Sequence, residues 1–194
     1  MNKKYLALGD SYTIGEGLEK GQRFPDYLVH LLGTVYAEPE IVAVTGWTTG
    51  ELLEAISNRS FQANFDLVTL LIGVNNQYRG QTLEQYADEF STLLELAVGF
   101  AGSKPHHVIV VSIPDWGRTP FAMDRDPEKI GLEIDQFNKV NHEISAQSGV
   151  HYVDITGLSR AQNVDVMLVS DKLHYSGSMY ELWAGKIYRE VFTK

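Results

Sequence analysis

Five short apolar runs divide the chain, and longer amphipathic segments lie between them. Residues Tyr5 to Leu8, Glu40 to Val44, Asp66 to Ile72, His107 to Ile113 and Val150 to Asp154 have the length and composition of strands. The third and fourth, Asp-Leu-Val-Thr-Leu-Leu-Ile and His-Val-Ile-Val-Val-Ser-Ile, are nearly continuous in apolar residues. A strand with one solvated face alternates, and a strand covered on both faces does not. These two therefore belong inside a parallel sheet.

The intervening segments carry helix signals. Pro25 suits the first turn of a helix that Gly33 closes. Thr48-Thr49-Gly50-Glu51 and Thr82-Leu83-Glu84-Gln85 have the spacing of a capping box. Behind the second, Leu83, Tyr86, Phe90, Leu93, Ala97 and Phe100 mark one face of a long helix. Asp126-Pro127 predicts a capped start for the stripe Ile130, Ile134, Phe137, Val140 and Ile144, which Gly149 ends. A last helix is expected to open at Ser178 to Glu181 and to carry Leu182, Trp183, Ile187 and Val191. Core packing is the ordinary reason for each stripe.

Strands alternating with helices, joined by right-handed crossovers, predict a five-stranded parallel sheet with helices on both faces. This is an α/β fold, a three-layer α/β/α sandwich, expected as a single domain over residues 1–194. The longest irregular stretches, 114–126 and 156–171, follow strand C-termini, where open sheets of this kind place their ligands.

Composition narrows the classes of function. The net charge of −9 argues against nucleic acid or an anionic membrane surface as a partner, because both demand a positive face. No apolar stretch has the length of a membrane span, so no integral membrane association is expected. With no cysteine, disulfides and thiolate chemistry are excluded. Met1-Asn2-Lys3-Lys4 is basic, but the apolar run behind it stops at Gly9, which is too short for a signal peptide. A chain complete as it stands would be expected in the cytoplasm. One from which an export signal has been removed would be secreted or periplasmic. No cluster of His, Asp or Glu has metal-ligand spacing, and no cofactor is expected.

Candidate chemistry collects at the strand ends. Ser11 follows the first run in Gly9-Asp10-Ser11, Gly46 follows the second, and Asn75 follows the third in Gly73-Val74-Asn75-Asn76. Asp171 and His174 follow the fifth, in Asp171-Lys172-Leu173-His174. All fall on the C-terminal side of the sheet. A hydroxyl, an imidazole, a carboxylate and amide donors meeting at one edge are what acyl transfer requires. Asp10 reads as a turn or cap residue, and Gly46 and Gly73 suit tight turns in any case. Of the other histidines, His30 and His142 lie on predicted helices, and His106, His107 and His151 lie at strand starts, away from that edge.

In these four blocks, taken in order, the chain resembles the SGNH hydrolases, the GDSL esterase/lipase family, whose fold is flavodoxin-like. The resemblance implies Ser11 as nucleophile, His174 as general base and Asp171 as its orienting partner. It implies an oxyanion hole from the backbone N–H groups of Ser11 and Gly46 and the side chain of Asn75. It also implies a small-molecule ester as substrate. Two positions depart from the family's pattern. Tyr12 stands where leucine is common and is expected to alter the pocket lining. Asn76 stands where aspartate is common, which removes a carboxylate beside the oxyanion donor. Tyr12, Trp47, Tyr78 and Trp116, with Phe121, sit after strands and are candidate substrate-binding side chains; loop packing explains them equally well.

The leading expectation is a serine esterase or lipase that cleaves carboxylic esters through an acyl-enzyme. A carbohydrate O-acetylesterase or a thioesterase of the same family is the alternative. Outside that class stands a flavodoxin-like cofactor-binding protein, because Ser11 to Gly17 is rich in hydroxyls and glycine, as a phosphate cradle would be. A scaffold that binds acylated ligands without turnover is a further option. A classical α/β-hydrolase is set aside for want of a Gly-x-Ser-x-Gly elbow.

Overall fold

The computed structural model describes residues 2–61 and 64–193. Strands β1 (Tyr5–Gly9), β3 (Leu67–Leu71) and β4 (Val108–Val111) are buried at every position, as their unbroken apolar runs require. Strands β2 (Glu40–Ala43) and β5 (His151–Val153) flank them and are only partly buried. The order is β2-β1-β3-β4-β5 and every pairing is parallel. The one polar side chain inside β3, Thr69, is paired with the Tyr5 hydroxyl at 2.9 Å.

Eight α-helices follow among the described residues: α1 (Ser11–Ile14), α2 (Phe24–Leu32), α3 (Thr49–Ser57), α4 (Val74–Tyr78), α5 (Leu83–Phe100), α6 (Pro127–Ser148), α7 (Thr156–Ser159) and α8 (Gly177–Phe192). The step from β1 to β2 crosses the sheet in the opposite direction to all later steps. With right-handed crossovers, α2 therefore lands on one face and α3, α5 and α6 on the other. Contacts agree: α2 packs on α8, and α5 packs on both α3 and α6.

The caps differ in detail from the sequence expectation. Thr48 forms both bonds of a capping box with Glu51. Thr82 accepts from the Gln85 N–H at 3.2 Å, but the Gln85 amide turns away to Glu89 at 2.9 Å, so that box is half made. Helix α8 begins at Gly177, one residue before the expected opening, and Ser176 before it makes no side-chain cap bond. Helices α1 and α4 are too short to show a period of 3.6 and were invisible to pattern reading. The stretches expected to be irregular contain single turns of helix at Trp116–Arg118, Pro120–Ala122, Thr156–Ser159 and Val164–Met167.

Register decides where the chemistry falls. Gly9 is level with Ala43 of β2 and Leu71 of β3, so three strands end together. The residues that follow each of them share one edge. Helix α1 starts two residues after β1 without a connecting loop, which brings its first turn onto the strand ends. A Cβ on Gly9 would overlap both the Thr13 hydroxyl and the Leu71 carbonyl oxygen. Replacing Gly9 with alanine is expected to cost about 3 kcal/mol or more of unfolding free energy, at the upper end of overpacking effects. Urea denaturation of the Gly9→Ala protein checks this, and a loss below about 0.5 kcal/mol, the range of neutral surface changes, would contradict it.

Candidate active site

Ser11 opens α1. The Asp10 carboxylate before it accepts from the Tyr12 N–H at 3.0 Å and caps the turn. Asp10 is fully buried, and that burial pushes its carboxyl up to about 7 despite the opposing backbone hydrogen bonds. At the other end of the chain, the Asp171 carboxylate serves three donors. One oxygen accepts from the backbone N–H groups of Leu173 (2.8 Å) and His174 (2.9 Å). The other lies 2.6 Å from Nδ1 of His174. Burial works against the charge on Asp171, but these bonds outweigh it and hold the carboxyl below its usual range. The His174 side chain is 10% exposed.

The two chain ends meet. Ser11, Tyr12, Gly46, Asn75, Tyr78, Trp116 and His174 line a single cleft of about 190 Å³. Thr45, Val74, Phe121 and Leu173 complete its walls. Trp47 does not contribute its side chain to this lining. Its carbonyl oxygen instead accepts from Nδ2 of Asn75 at 2.9 Å, which leaves the second N–H of that amide unspent by this bond. Tyr12 lines the cleft and also supports the imidazole, with its ring centroid 5.7 Å from that of His174. Tyr175 and Trp183 pack behind it, 5.7 and 6.1 Å away.

Helix α4, only five residues long, braces most of this edge. Gln77 accepts from the Trp116 indole N–H at 2.7 Å and donates to Glu133 at 2.7 Å, fixing the aromatic wall. Arg79, just past the helix, donates to the Gly46 carbonyl oxygen at 2.6 Å. At the rim, the Arg125 guanidinium lies 5.0 Å from the Tyr78 ring and 5.6 Å from the Trp116 ring. Sequence reading singled out neither Gln77 nor Arg79, because each acts on a residue far away in the chain.

Asn76, which stands where the family commonly has aspartate, has defined partners in the structure. It is completely buried, and its amide is fully engaged. Its oxygen accepts from the Thr49 N–H at 3.1 Å, and its nitrogen donates to Thr49 Oγ1 at 2.5 Å and Gln81 Oε1 at 2.6 Å. Thr49 in turn donates to the Glu89 carboxylate. A carboxylate at 76 could not donate to Gln81, and it would add a second negative charge one hydroxyl away from Glu89. The amide is the group that this network requires, and Glu89 already supplies a negative charge.

The sequence itself matches the GDSL-like lipase/acylhydrolase family over residues 7–182, and the chain belongs to that family. With the fold and cleft described above, it is a carboxylic ester hydrolase of the serine type. Its fold is similar to the lipase/acylhydrolase from Enterococcus faecalis (TM-score 0.73, 23% identity, 97% of this chain and 95% of that one). It is also similar to TesA (TM-score 0.76, 18% identity, 98% and 99% covered). An acetylxylan esterase from Geobacillus stearothermophilus shares it too (TM-score 0.74, 20% identity, 99% and 95% covered). No curated protein matches the sequence. Among the described residues, no helix is long and apolar enough to cross a membrane, and no group of three or more His, Asp and Glu could hold a metal ion.

Two substitutions test these electrostatics. The folded state binds the Asp10 proton more tightly than the unfolded chain does, with about 7 against 3.8, so ionising Asp10 destabilises the fold as pH rises between those values. The Asp10→Asn protein should lack that decline, and its urea midpoint relative to wild type should therefore rise from pH 4 to pH 8. A pH-independent difference would refute the assignment. Asn76→Asp should lose about 1–3 kcal/mol at neutral pH by unpairing buried groups, and should recover part of it in acid. Equal urea midpoints for the two proteins at pH 7 would contradict this.

Proposed function

We propose that the protein hydrolyses carboxylic esters through an acyl-enzyme formed on Ser11, with residues 1–194 acting as one hydrolase domain. The observation that carries this reading is the Asp171–His174 bond, held in a cleft that Ser11 also lines. A serine hydroxyl needs a base to become nucleophilic, and an imidazole whose Nδ1 is bound to a carboxylate presents Nε2 as that base.

In this mechanism His174 takes the Ser11 proton as Oγ adds to the ester carbonyl. The tetrahedral oxyanion is received by three donors. The Ser11 N–H has no intrahelical acceptor because it stands at the first helical position. The Gly46 N–H and the second N–H of Asn75 complete the set. His174 then gives its proton to the leaving alkoxide, and the alcohol departs. A water, deprotonated by the same imidazole, adds to the acyl-serine and releases the acid.

The cleft favours small esters. At about 190 Å³ it is narrower than the roughly 300–1,000 Å³ of sites for drug-sized ligands, and its walls are largely apolar. Short acyl groups fit this space, which keeps an O-acetylated sugar within the proposal alongside simple alkyl and aryl esters and thioesters. The cofactor-binding alternative has less support. The Glu16 carboxylate accepts from Thr45 at the cleft edge, where it would repel a phosphate.

A fluorophosphonate probe tests the chemistry. Wild type should be modified at Ser11, Ser11→Ala should be inert, and His174→Ala should turn over esters at least about 10³-fold more slowly. Folded wild-type protein that resists the probe would end the proposal. A p-nitrophenyl ester series should show kcat/KM highest for acetyl to butyryl groups and falling steeply by octanoyl; a maximum at octanoyl or longer would remove the short-acyl reading.

A further inference from the structure

In the ester-hydrolase reading, the turn between β2 and α3 carries one oxyanion donor; beyond the Thr45 hydroxyl's bond to the Glu16 carboxylate, its own residues do little to hold it. Val44 and Thr45 are exposed, Gly46 sits at φ +89°, and the turn's own bond, from the Trp47 N–H to the Val44 carbonyl oxygen, is 3.3 Å long. A glycine with positive φ in an exposed turn is free to move unless something fixes it. An oxyanion donor tolerates little motion, since a misplacement of about 1 Å costs on the order of 10²-fold in rate.

Two side chains one helical turn apart, at positions 75 and 79, grip successive carbonyls of this turn. Asn75 donates to the Trp47 oxygen at 2.9 Å, and Arg79 Nη2 donates to the Gly46 oxygen at 2.6 Å. The other arm of the same guanidinium, Nη1, donates to Glu51 Oε2 at 3.1 Å. That carboxylate oxygen also receives the Thr48 N–H at 2.8 Å and the Thr48 hydroxyl at 3.0 Å. Arg79 thus bridges the turn and the cap of α3, and ties both to the element that bears Asn75. Gly46 and Asn75, two of the oxyanion donors in the ester-hydrolase reading, become one rigid unit.

Resting on that reading, we infer that Arg79 is a positioning residue for the oxyanion hole: its forked bond to the Gly46 carbonyl and Glu51 holds the Gly46 N–H in register with the Asn75 amide. It works through the Gly46 backbone and need not touch substrate. A planar fork reaches both acceptors at once, which a single ammonium does poorly, so lysine replaces it only in part.

The experiment compares wild type, Ser11→Ala, Arg79→Ala and Arg79→Lys on p-nitrophenyl acetate, with melting temperatures measured alongside. Arg79→Ala should lose about 10- to 100-fold in kcat, short of the roughly 10²- to 10³-fold expected for deleting a donor outright, with KM within about threefold. Arg79→Lys should fall between it and wild type. Added guanidinium should restore part of the alanine variant's kcat and leave wild type unchanged. An arylboronic acid, which forms a tetrahedral adduct on serine, should bind Arg79→Ala more weakly by a factor similar to the loss in kcat/KM.

Wild-type kcat in Arg79→Ala, or a loss confined to KM, overturns the positioning role while Ser11-dependent turnover leaves the hydrolase reading intact. Wild type with no Ser11-dependent turnover sinks both. If the alanine variant does not fold, Arg79→Lys decides on the same readouts, and a lysine variant with wild-type kcat and boronate affinity overturns the inference.

Discussion

The carboxylate of Asp171 is the interaction on which the site depends. Its two oxygens close the turn that follows, through the Leu173 and His174 N–H groups, and aim the imidazole through Nδ1. The turn holds Lys172 at φ +64°, a conformation that L residues seldom adopt, and the carboxylate bonds offset that cost. The Lys172 carbonyl also receives the Phe121 N–H at 3.2 Å, so the same turn anchors part of the cleft wall. A charged acceptor serving three donors is among the stronger local arrangements available to a loop.

The rest of the edge is braced from one short helix and the residue that ends it. Asn75 and Arg79 direct their side chains to the β2–α3 turn, Asn76 to the start of α3 and Gln77 to the Trp116 wall. Four neighbouring residues thus set the relative positions of parts of the chain that are 27 to 39 residues away. The segment that leads into Trp116 is fixed as well. Asn138 of α6 clasps the backbone of Ile113 through both its amide atoms, at 2.8 and 2.9 Å. Buried Asp115 then pairs with Arg160 at 2.8 Å, joining the loops after β4 and β5. Apart from the exposed Arg79 bond, these are buried or half-buried bonds with defined partners, the kind that specify one arrangement when every member is satisfied.

Much of this was legible in the residues. Unbroken apolar runs marked β3 and β4, and the stripe from Leu83 marked α5, because burial on one or both faces leaves a period in the sequence. That Ser11, Gly46, Asn75 and His174 would share one cleft was legible for another reason: each follows a strand or a block of recognisable type, and parallel strands bring their ends to one edge. The role of Asn76 was not legible. Its meaning lies in Thr49, Gln81 and Glu89, and seen alone it reads only as a missing carboxylate. Trp47 looked like a cleft residue by its position after β2, yet its backbone oxygen is what the site uses.

The linear chain therefore determined the strands, the long helices and the chemical groups available at the sheet edge, since these follow from spacing between near neighbours and from residue type. The tertiary structure alone decided how far apart the walls stand, which N–H of the Asn75 amide is left unspent by the Trp47 carbonyl, and which distant side chains hold the turn at Gly46. Those depend on pairings across 28 to 39 residues, where no local period records who meets whom.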